Sequence, residues 1–414
     1  MSAIRRAAFC TLLVSVYVFT WLVAVIGRAI PRPRWKPNGR ILVTGTFFNP
    51  NWYLSHITPL AMSGVNEVIV VTDTPQQPIE GVTLACPPRW LRSISSRAGA
   101  KLIWMLIIGV HRRPDIYMGY HIFPSAISAL CIARLLNRPA CYQDTSGPTE
   151  LQGGGWRAEN RVLAGLGAPS RLIGTLVSRV VREFDLVVVR GTKAAAFIRE
   201  IGYSKNLAIV TGSVQAPGRW HGFAERECDL IFVGRLTECK RPDRFVSIVA
   251  GVAKRLPAIT ARVVGDGPQM VAVRQQARTM GIEDRLTFLG KREDVSGLLG
   301  RSRVYVLTSR SEGLSIAMIE AMANGAVPVV SDVGDLRDLV SHGVNGFVVA
   351  EEALDCFCDT VTQLLVDESA WKRCSLAAVQ SATAYSGLER VSERWREELG
   401  RLTRFESAGL RPTS

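Results

Sequence analysis

Short β-branched apolar runs alternate with helical stretches along most of the chain, and they do so in two successive sets. In the first set, ILVTG (41–45), EVIVVTD (67–73), DIYMGY (115–120), ACYQD (140–144) and FDLVVVR (184–190) read as strands. Helices are predicted between them over 52–64, 96–110, 124–136 and 170–183. The second set opens at DLIFVG (229–234) and continues through TARVVGDG (260–267), RLTFLG (285–290), RVYVLTS (303–309), AVPVVSD (326–332) and GFVVA (346–350). Helices are predicted there over 242–255, 268–280, 293–299, 315–324 and 335–341. Parallel strands cannot be joined by tight hairpins and need helical crossovers, so this pattern predicts two α/β domains with doubly wound, Rossmann-like sheets. They are expected over 41–210 and 229–384, joined by a Gly- and Pro-containing hinge at 211–228. A charged amphipathic helix in 385–414 is expected to cross back to the first domain. Open sheets of this kind bind ligands at the carboxyl ends of their strands, which puts the expected site in the interdomain cleft.

Ahead of the first strand stands AAFCTLLVSVYVFTWLVAVI (7–26), twenty residues without a charge. As a helix it is long enough to cross about 30 Å of hydrocarbon. Arg5 and Arg6 precede it, and Arg28, Arg32, Arg34, Lys36 and Arg40 follow it in a Pro-rich linker ending at residue 40. The heavier basic flank is C-terminal, which predicts a single-pass anchor in the inner (plasma) membrane with the catalytic domains in the cytoplasm. A cleaved signal peptide is the rival, but its apolar stretch would be long and no small-residue cleavage site follows cleanly.

The formal net charge is +14 over 414 residues. Residues 1–114 hold thirteen Lys/Arg and three acids, so most of the excess lies beside the apolar run. That distribution favours an anionic lipid surface over nucleic acid, for which no binding motif is present. The nine cysteines are odd in number and form no Cys-x-x-Cys pair, so they read as small thiols in a reducing compartment rather than as disulfides or a zinc site.

Three stretches of the second set carry chemistry. In SEGLSIAMIEAMANG (311–325), Glu312 follows a strand and Glu320 lies eight residues later on a helix starting near Ser315. The N–H groups of Ser315, Ile316 and Ala317 would then have no intrahelical partner and could receive a phosphate, aided by the helix dipole. Gly313 lets backbone approach a ligand closely, and Glu320 can accept hydrogen bonds from a ribose diol. Read alone, the two glutamates could as well be a helix-end charge and a solvated face. In VGRLTECKRPD (233–243), Arg235 and Lys240 follow a strand end, a fork and a point charge suited to a diphosphate; an ordinary charged loop would look the same. VVGDGP (263–268) is a strand with a tight Gly turn.

The order of these three elements, with FLG (288–290) and HGVNGFVV (342–349), resembles the retaining GT-B glycosyltransferases of family 4, the glycosyl transferases group 1. The likeness is strong over about 229–350 and loose elsewhere. It implies that Glu312 contacts the donor sugar, Glu320 the ribose, and Arg235 with Lys240 the leaving diphosphate, and that the stretch after Gly290 lies along the base. It implies retention of anomeric configuration. No cofactor is expected: the cations and the helix start would stabilise the departing UDP or GDP, and the sequence has no Asp-x-Asp pair to hold a divalent ion. In the first domain, members of this family have a Gly-rich loop after the first strand; here VTGTFFNPN (43–51) offers only Gly45. His121, after DIYMGY, stands where the family has a histidine facing the sugar. Asp144 is a candidate general base for the acceptor hydroxyl, and His56 and His342 read as structural.

Residues 89–113 hold six cations, two Trp and no acid, a composition that suits a lipid interface or a buried helix with a basic rim. With the anchor, it favours a lipid-linked saccharide acceptor, such as a polyprenyl diphosphate, in assembly of an envelope or exported polysaccharide. The rivals are a nucleotide-sugar epimerase on the same fold and an inactive nucleotide-sugar-binding scaffold.

Overall fold

Unbroken apolar strands demand burial on both faces, and both sheets receive it. The computed structural model describes residues 3–28, 30, 38–47, 49–158, 160–215 and 218–408. The chain divides into two units, Met1–Gly212 with Val391–Ser414, and Ser213–Arg390. Residues 31–37 of the expected linker, and residues 216 and 217 of the expected hinge, lie outside the described residues.

The first unit begins with α1 (Ala3–Arg28), β1 (Arg40–Thr44), α2 (Pro50–Ala61), β2 (Glu67–Val71), β3 (Val82–Leu84), α3 (Arg89–Ile94) and α4 (Arg97–Arg112). It continues with β4 (Ile116–Tyr120), α5 (Ile127–Leu135), β5 (Ala140–Gln143), α6 (Arg161–Ala164), α7 (Arg171–Val181), β6 (Leu186–Val189), α8 (Thr192–Glu200) and β7 (Asn206–Ile209). Its sheet has the order β3-β2-β1-β4-β5-β6-β7, and every pairing is parallel. Successive side chains alternate between two cores, Leu42 on one side and Ile41 with Val43 on the other. Helices α1, α4, α5, α7 and α8 cover the first side.

The second unit runs β8 (Cys228–Val233), α9 (Pro242–Ala253), β9 (Ala261–Val264), α10 (Met270–Thr279), β10 (Leu286–Gly290), α11 (Val295–Gly300) and β11 (Ser302–Leu307). Then come α12 (Ile316–Ala323), β12 (Val327–Ser331), β13 (Phe347–Val349), α13 (Leu354–Val366) and α14 (Glu368–Ser386). Its parallel sheet has the order β10-β9-β8-β11-β12-β13. Helix α15 (Leu388–Ala408) follows, and its Val391, Trp395, Leu399 and Leu402 bury against the first sheet on the side that α2 covers.

Two features differ from the sequence expectation, and a third adds to it. The helix predicted over 335–341 is a single 3-10 turn at Leu336–Asp338, because the Asn345 side chain takes the Ser341 N–H (2.7 Å) and the Leu339 carbonyl (2.9 Å). Arg226, in the stretch expected as hinge, is buried: its guanidinium donates to the carbonyls of Ser302 (2.6 Å) and Asn324 (3.1 Å) and stacks over Trp371. Helix α1 is long and apolar enough to cross a membrane, yet it packs against α5 and α7 rather than standing apart. The residues at 13, 17, 20 and 24 form its buried face.

The loops after β8 and β9 touch through glycine. Gly265 has φ +132°, and a β-carbon there would stand 1.9 Å from the Gly234 carbonyl oxygen. We predict that Gly265→Ala lowers the unfolding free energy by about 1–3 kcal/mol through overpacking, read as a shifted urea midpoint at unchanged slope.

Candidate active site

β8 and β11 are neighbours at the centre of the second sheet, and the strand order reverses between them. The loops at their carboxyl ends therefore flank a topological switch point. Backbone contacts fix the β8 loop. The Leu236 N–H donates to the Asp266 carbonyl (3.0 Å), and the Leu236 carbonyl accepts from Gln269 (3.0 Å). The Thr308 hydroxyl at the end of β11 donates to the carbonyls of Lys240 (3.2 Å) and Arg241 (2.8 Å), and the Arg310 N–H donates to Cys239 (2.8 Å).

This frame brings Lys240 to Glu312, Nζ to Oε1 at 2.5 Å, with the Ser309 hydroxyl donating to the same oxygen at 2.5 Å. Both side chains are largely withdrawn from water, Lys240 18% and Glu312 7% exposed, so their attraction is weakly screened. Arg235 lies in the same loop and has the Glu312 carboxylate as an electrostatic neighbour. Glu312 is held from behind by Gly334, whose φ is +56° and where a β-carbon would meet the Glu312 carbonyl oxygen at 2.0 Å. Gly313 is buried, and its carbonyl accepts from Asp335 (3.3 Å).

Helix α12 starts at Ile316, with Ser315 as its N-cap accepting from the Met318 N–H (3.4 Å). Ser315, Ile316 and Ala317 thus form the helix start that the sequence indicates, immediately after Glu312. Glu320 follows one turn on, and burial pushes its carboxyl up to about 7. Gly290 ends β10 at φ +64°, its carbonyl accepting from Gly265 (2.7 Å). The structure therefore gathers Arg235, Lys240, Ser309, Glu312 and the start of α12 at one end of one sheet. Ser309 carries no spacing signal and escapes sequence reasoning.

The first unit has its own switch point between β1 and β4. Gly45 follows β1; its carbonyl accepts from the buried Lys101 ammonium (3.3 Å), and a β-carbon there would strike the Phe47 ring at 2.8 Å. His121 ends β4 with φ +63°, a conformation rare for a residue with a side chain. Its Nδ1 lies 3.1 Å from Glu150 and 3.2 Å from the Thr145 hydroxyl, and its ring runs parallel to Trp52 at 6.1 Å. Glu150 is buried and also accepts from the Ile122 N–H. It is the only acid between Asp144 and Glu159, in a loop with no periodicity to announce it.

Asp144 sits differently from the expectation of an accessible base. It is 1% exposed, and its Oδ1 accepts from the Ser146 (3.0 Å) and Gly147 (2.9 Å) N–H groups, closing a turn. Burial first, and then the Glu150 charge, raise its carboxyl well above the ordinary range. His56 is structural: its Nδ1–H donates to the Trp52 carbonyl (2.8 Å) and its Nε2 accepts from Arg190 (2.8 Å). Burial and the Arg190 charge hold it well below the usual imidazole range.

Residues 227–367 match the family model described as glycosyl transferases group 1. This segment is a glycosyl transferases group 1 domain. Over 150 residues the chain is 32% identical to N-acetyl-alpha-D-glucosaminyl L-malate synthase of Bacillus anthracis, covering 36% of this chain and 39% of that protein. Over 139 residues it is 30% identical to the UDP-Gal:alpha-D-GlcNAc-diphosphoundecaprenol alpha-1,3-galactosyltransferase of Escherichia coli, covering 33% of this chain and 36% of that one. The alignments thus span well under half the length of these curated relatives. Among solved structures, Anabaena HepE in complex with UDP-glucose matches with a TM-score of 0.70 at 16% identity, covering 88% of this chain and 100% of that one. Sucrose-phosphate synthase from Thermosynechococcus elongatus matches at 0.69 and 17%, covering 90% of this chain and 100% of that one. The fold of the chain is GT-B, two units each built on a parallel Rossmann-like sheet.

In the first unit, we predict that Glu150→Ala costs about 1–3 kcal/mol of stability by orphaning the buried Ile122 N–H. Glu150→Gln, which keeps an acceptor there, costs less; thermal unfolding of the two variants checks the order.

Proposed function

We propose that the chain is a retaining glycosyltransferase of family 4 that moves a hexosyl residue from a UDP- or GDP-sugar to a lipid-linked saccharide at a membrane. The observation that carries this reading is the Lys240–Glu312–Ser309 cluster beside the start of α12, at the switch point of a group 1 domain. The barrier is departure of a nucleoside diphosphate from an anomeric carbon that takes on oxocarbenium character. In our reading the diphosphate lies against Arg235, Lys240 and the N–H groups of Ser315, Ile316 and Ala317, which meet its growing charge without a metal ion. Ion pairing and the loop bonds hold Lys240 in place beforehand, so little reorganisation is needed as that charge develops. Glu312, fixed by two donors, is assigned to the hydroxyls of the donor sugar, Glu320 to the ribose diol, and the backbone beyond Gly290 to the base.

The first unit is assigned the acceptor, with His121 and Gly45 as its candidate contacts. Asp144 is assigned the turn it closes rather than the role of base. No enzymic nucleophile is evident, so attack by the acceptor on the face that the diphosphate leaves accounts for retention. The lipid-linked acceptor is supported by the basic, apolar N-terminal region and by the diphosphoundecaprenol named for the Escherichia coli relative. Attachment through α1 to the inner membrane, with both units on the cytoplasmic side, is part of this reading and is supported by the apolar run and its basic flank.

A panel of UDP- and GDP-sugars, assayed for hydrolysis and for transfer to membrane lipid extract, tests the reading. Transfer with retained configuration is expected; an inverted product, or epimerisation without acceptor, would refute it. Lys240→Met is expected to lower kcat by about 10²–10³. Glu312→Gln should lose turnover while nucleotide binding persists.

Glu320 adds a pH signature. Its raised folded value means that it ionises only as pH climbs through about 7, and the ionised form is the better acceptor for two ribose hydroxyls. Nucleotide affinity is therefore expected to tighten across neutral pH in the wild type and to stay flat in Glu320→Gln, by calorimetric titration. Stability runs the other way: the buried neutral carboxyl favours the folded state at low pH, and that contribution is lost as pH rises from the ordinary carboxyl range toward 7.

A further inference from the structure

Helix α4 is apolar on its outer side as well as its inner one. Its inner side holds Lys101 as well as Met105, while Leu102, Ile103, Leu106, Ile107 and Val110 stand on its exposed side. Scattered exposed aliphatics are ordinary, but a continuous aliphatic row along two turns marks an interaction surface. Helix α1 has the same outward character. Leu12, Phe19, Leu22 and Ile26 are exposed, with Phe19 at 63% and Ile26 at 69%.

The inner face of α1 belongs to the protein. Leu13, Tyr17 and Ala24 sit in the first core, Thr20 is buried and accepts from the Cys131 thiol, and Gly27 lets the Arg134 side chain pass closely. Arg28 pairs with the buried Glu183 carboxylate, and Arg179 stacks over Trp21. A helix crossing a bilayer must exchange all these partners for acyl chains and leave Glu183 without Arg28. Both α1 and α4 pack against α5, on the same side of the first sheet, so their outer rows belong to one helical layer.

The charge around this layer selects its partner. Arg89, Arg92 and Arg113 are exposed and make no ion pair among the described residues, and Trp90, next to Arg89, is 58% exposed. Glu67 and Asp73, two of the three acids before residue 115, are already paired with Arg112 and Arg97.

We propose that α1 remains docked in the first unit and lies in the plane of the membrane, and that α1 and α4 together seat this unit on an anionic bilayer. The aliphatic rows enter the boundary between headgroups and acyl chains, and the arginines meet lipid phosphates. This rests on the membrane attachment proposed above and replaces a crossing helix with a surface.

The full-length protein carrying an N-terminal epitope tag tests it. Flotation is compared on vesicles of phosphatidylcholine alone and with about 30% phosphatidylglycerol, a typical anionic load. The wild type is expected to float with the anionic vesicles, and L106E/I107E, both at exposed positions, to lose at least about tenfold of that binding. The tag is expected to resist protease added to wall-stripped cells and to be cut in inverted membrane vesicles. A tag cut in wall-stripped cells would show that α1 crosses and would overturn the proposal, as would undiminished flotation of L106E/I107E. Flotation of neither protein would point to a protein partner and overturn it too. Nucleotide-sugar turnover in detergent, measured on the same preparations, reports on the glycosyltransferase reading separately.

Discussion

Everything at the proposed donor site depends on how closely backbone can pack at the carboxyl ends of β8, β9 and β11. Gly265 lies against Gly234, Gly267 against Leu236 and Gly334 against Glu312, each at a separation that a β-carbon would not allow. These contacts leave the 234–241 loop little freedom, and Thr308 ties its far end to β11. Lys240 and Glu312 meet because the backbone beneath them is already fixed. The ion pair is the result of that packing, and one removed partner would leave the other poorly solvated.

The first unit uses a different device. His121 occupies a strained backbone position, and the surroundings compensate with donors and acceptors: Glu150, Thr145 and the backbone of Gln143. The imidazole is thereby set in one orientation, backed by a buried carboxylate and flanked by Trp52. Asp144, one strand over, spends its carboxylate on the turn that brings Glu150 into place. A reading that assigns chemistry to acids by their position after a strand picks Asp144, whereas the fold gives the histidine partner to Glu150.

How much was legible follows from the range of each interaction. Strands and most crossover helices announce themselves through local apolar runs, so both sheets could be read from the chain, along with the helix start at Ser315 and the loop cations. Short β3, α8 and β7, and the long α13 and α14, carry no such signal because their patterns are brief or mixed. Glu150, Ser309 and Arg226 matter through partners distant in sequence, and no spacing rule reaches that far. Helix α1 shows the limit most clearly. Twenty uncharged residues describe its length, but only the fold reveals that Tyr17, Thr20, Ala24 and Gly27 line one side, where hydroxyls and small side chains fit a protein groove. The 335–341 stretch looked helical until the Asn345 side chain, beyond its end, claimed the backbone groups.

Helix α15 has a consequence for synthesis. The first unit needs Val391, Trp395 and Leu399 to close one side of its sheet, yet these residues leave the ribosome only after the whole of the second unit. The second unit is continuous and has all its parts earlier. Contrary to the usual order, in which the leading domain matures first, the trailing one here completes itself while its predecessor still waits with an uncovered flank.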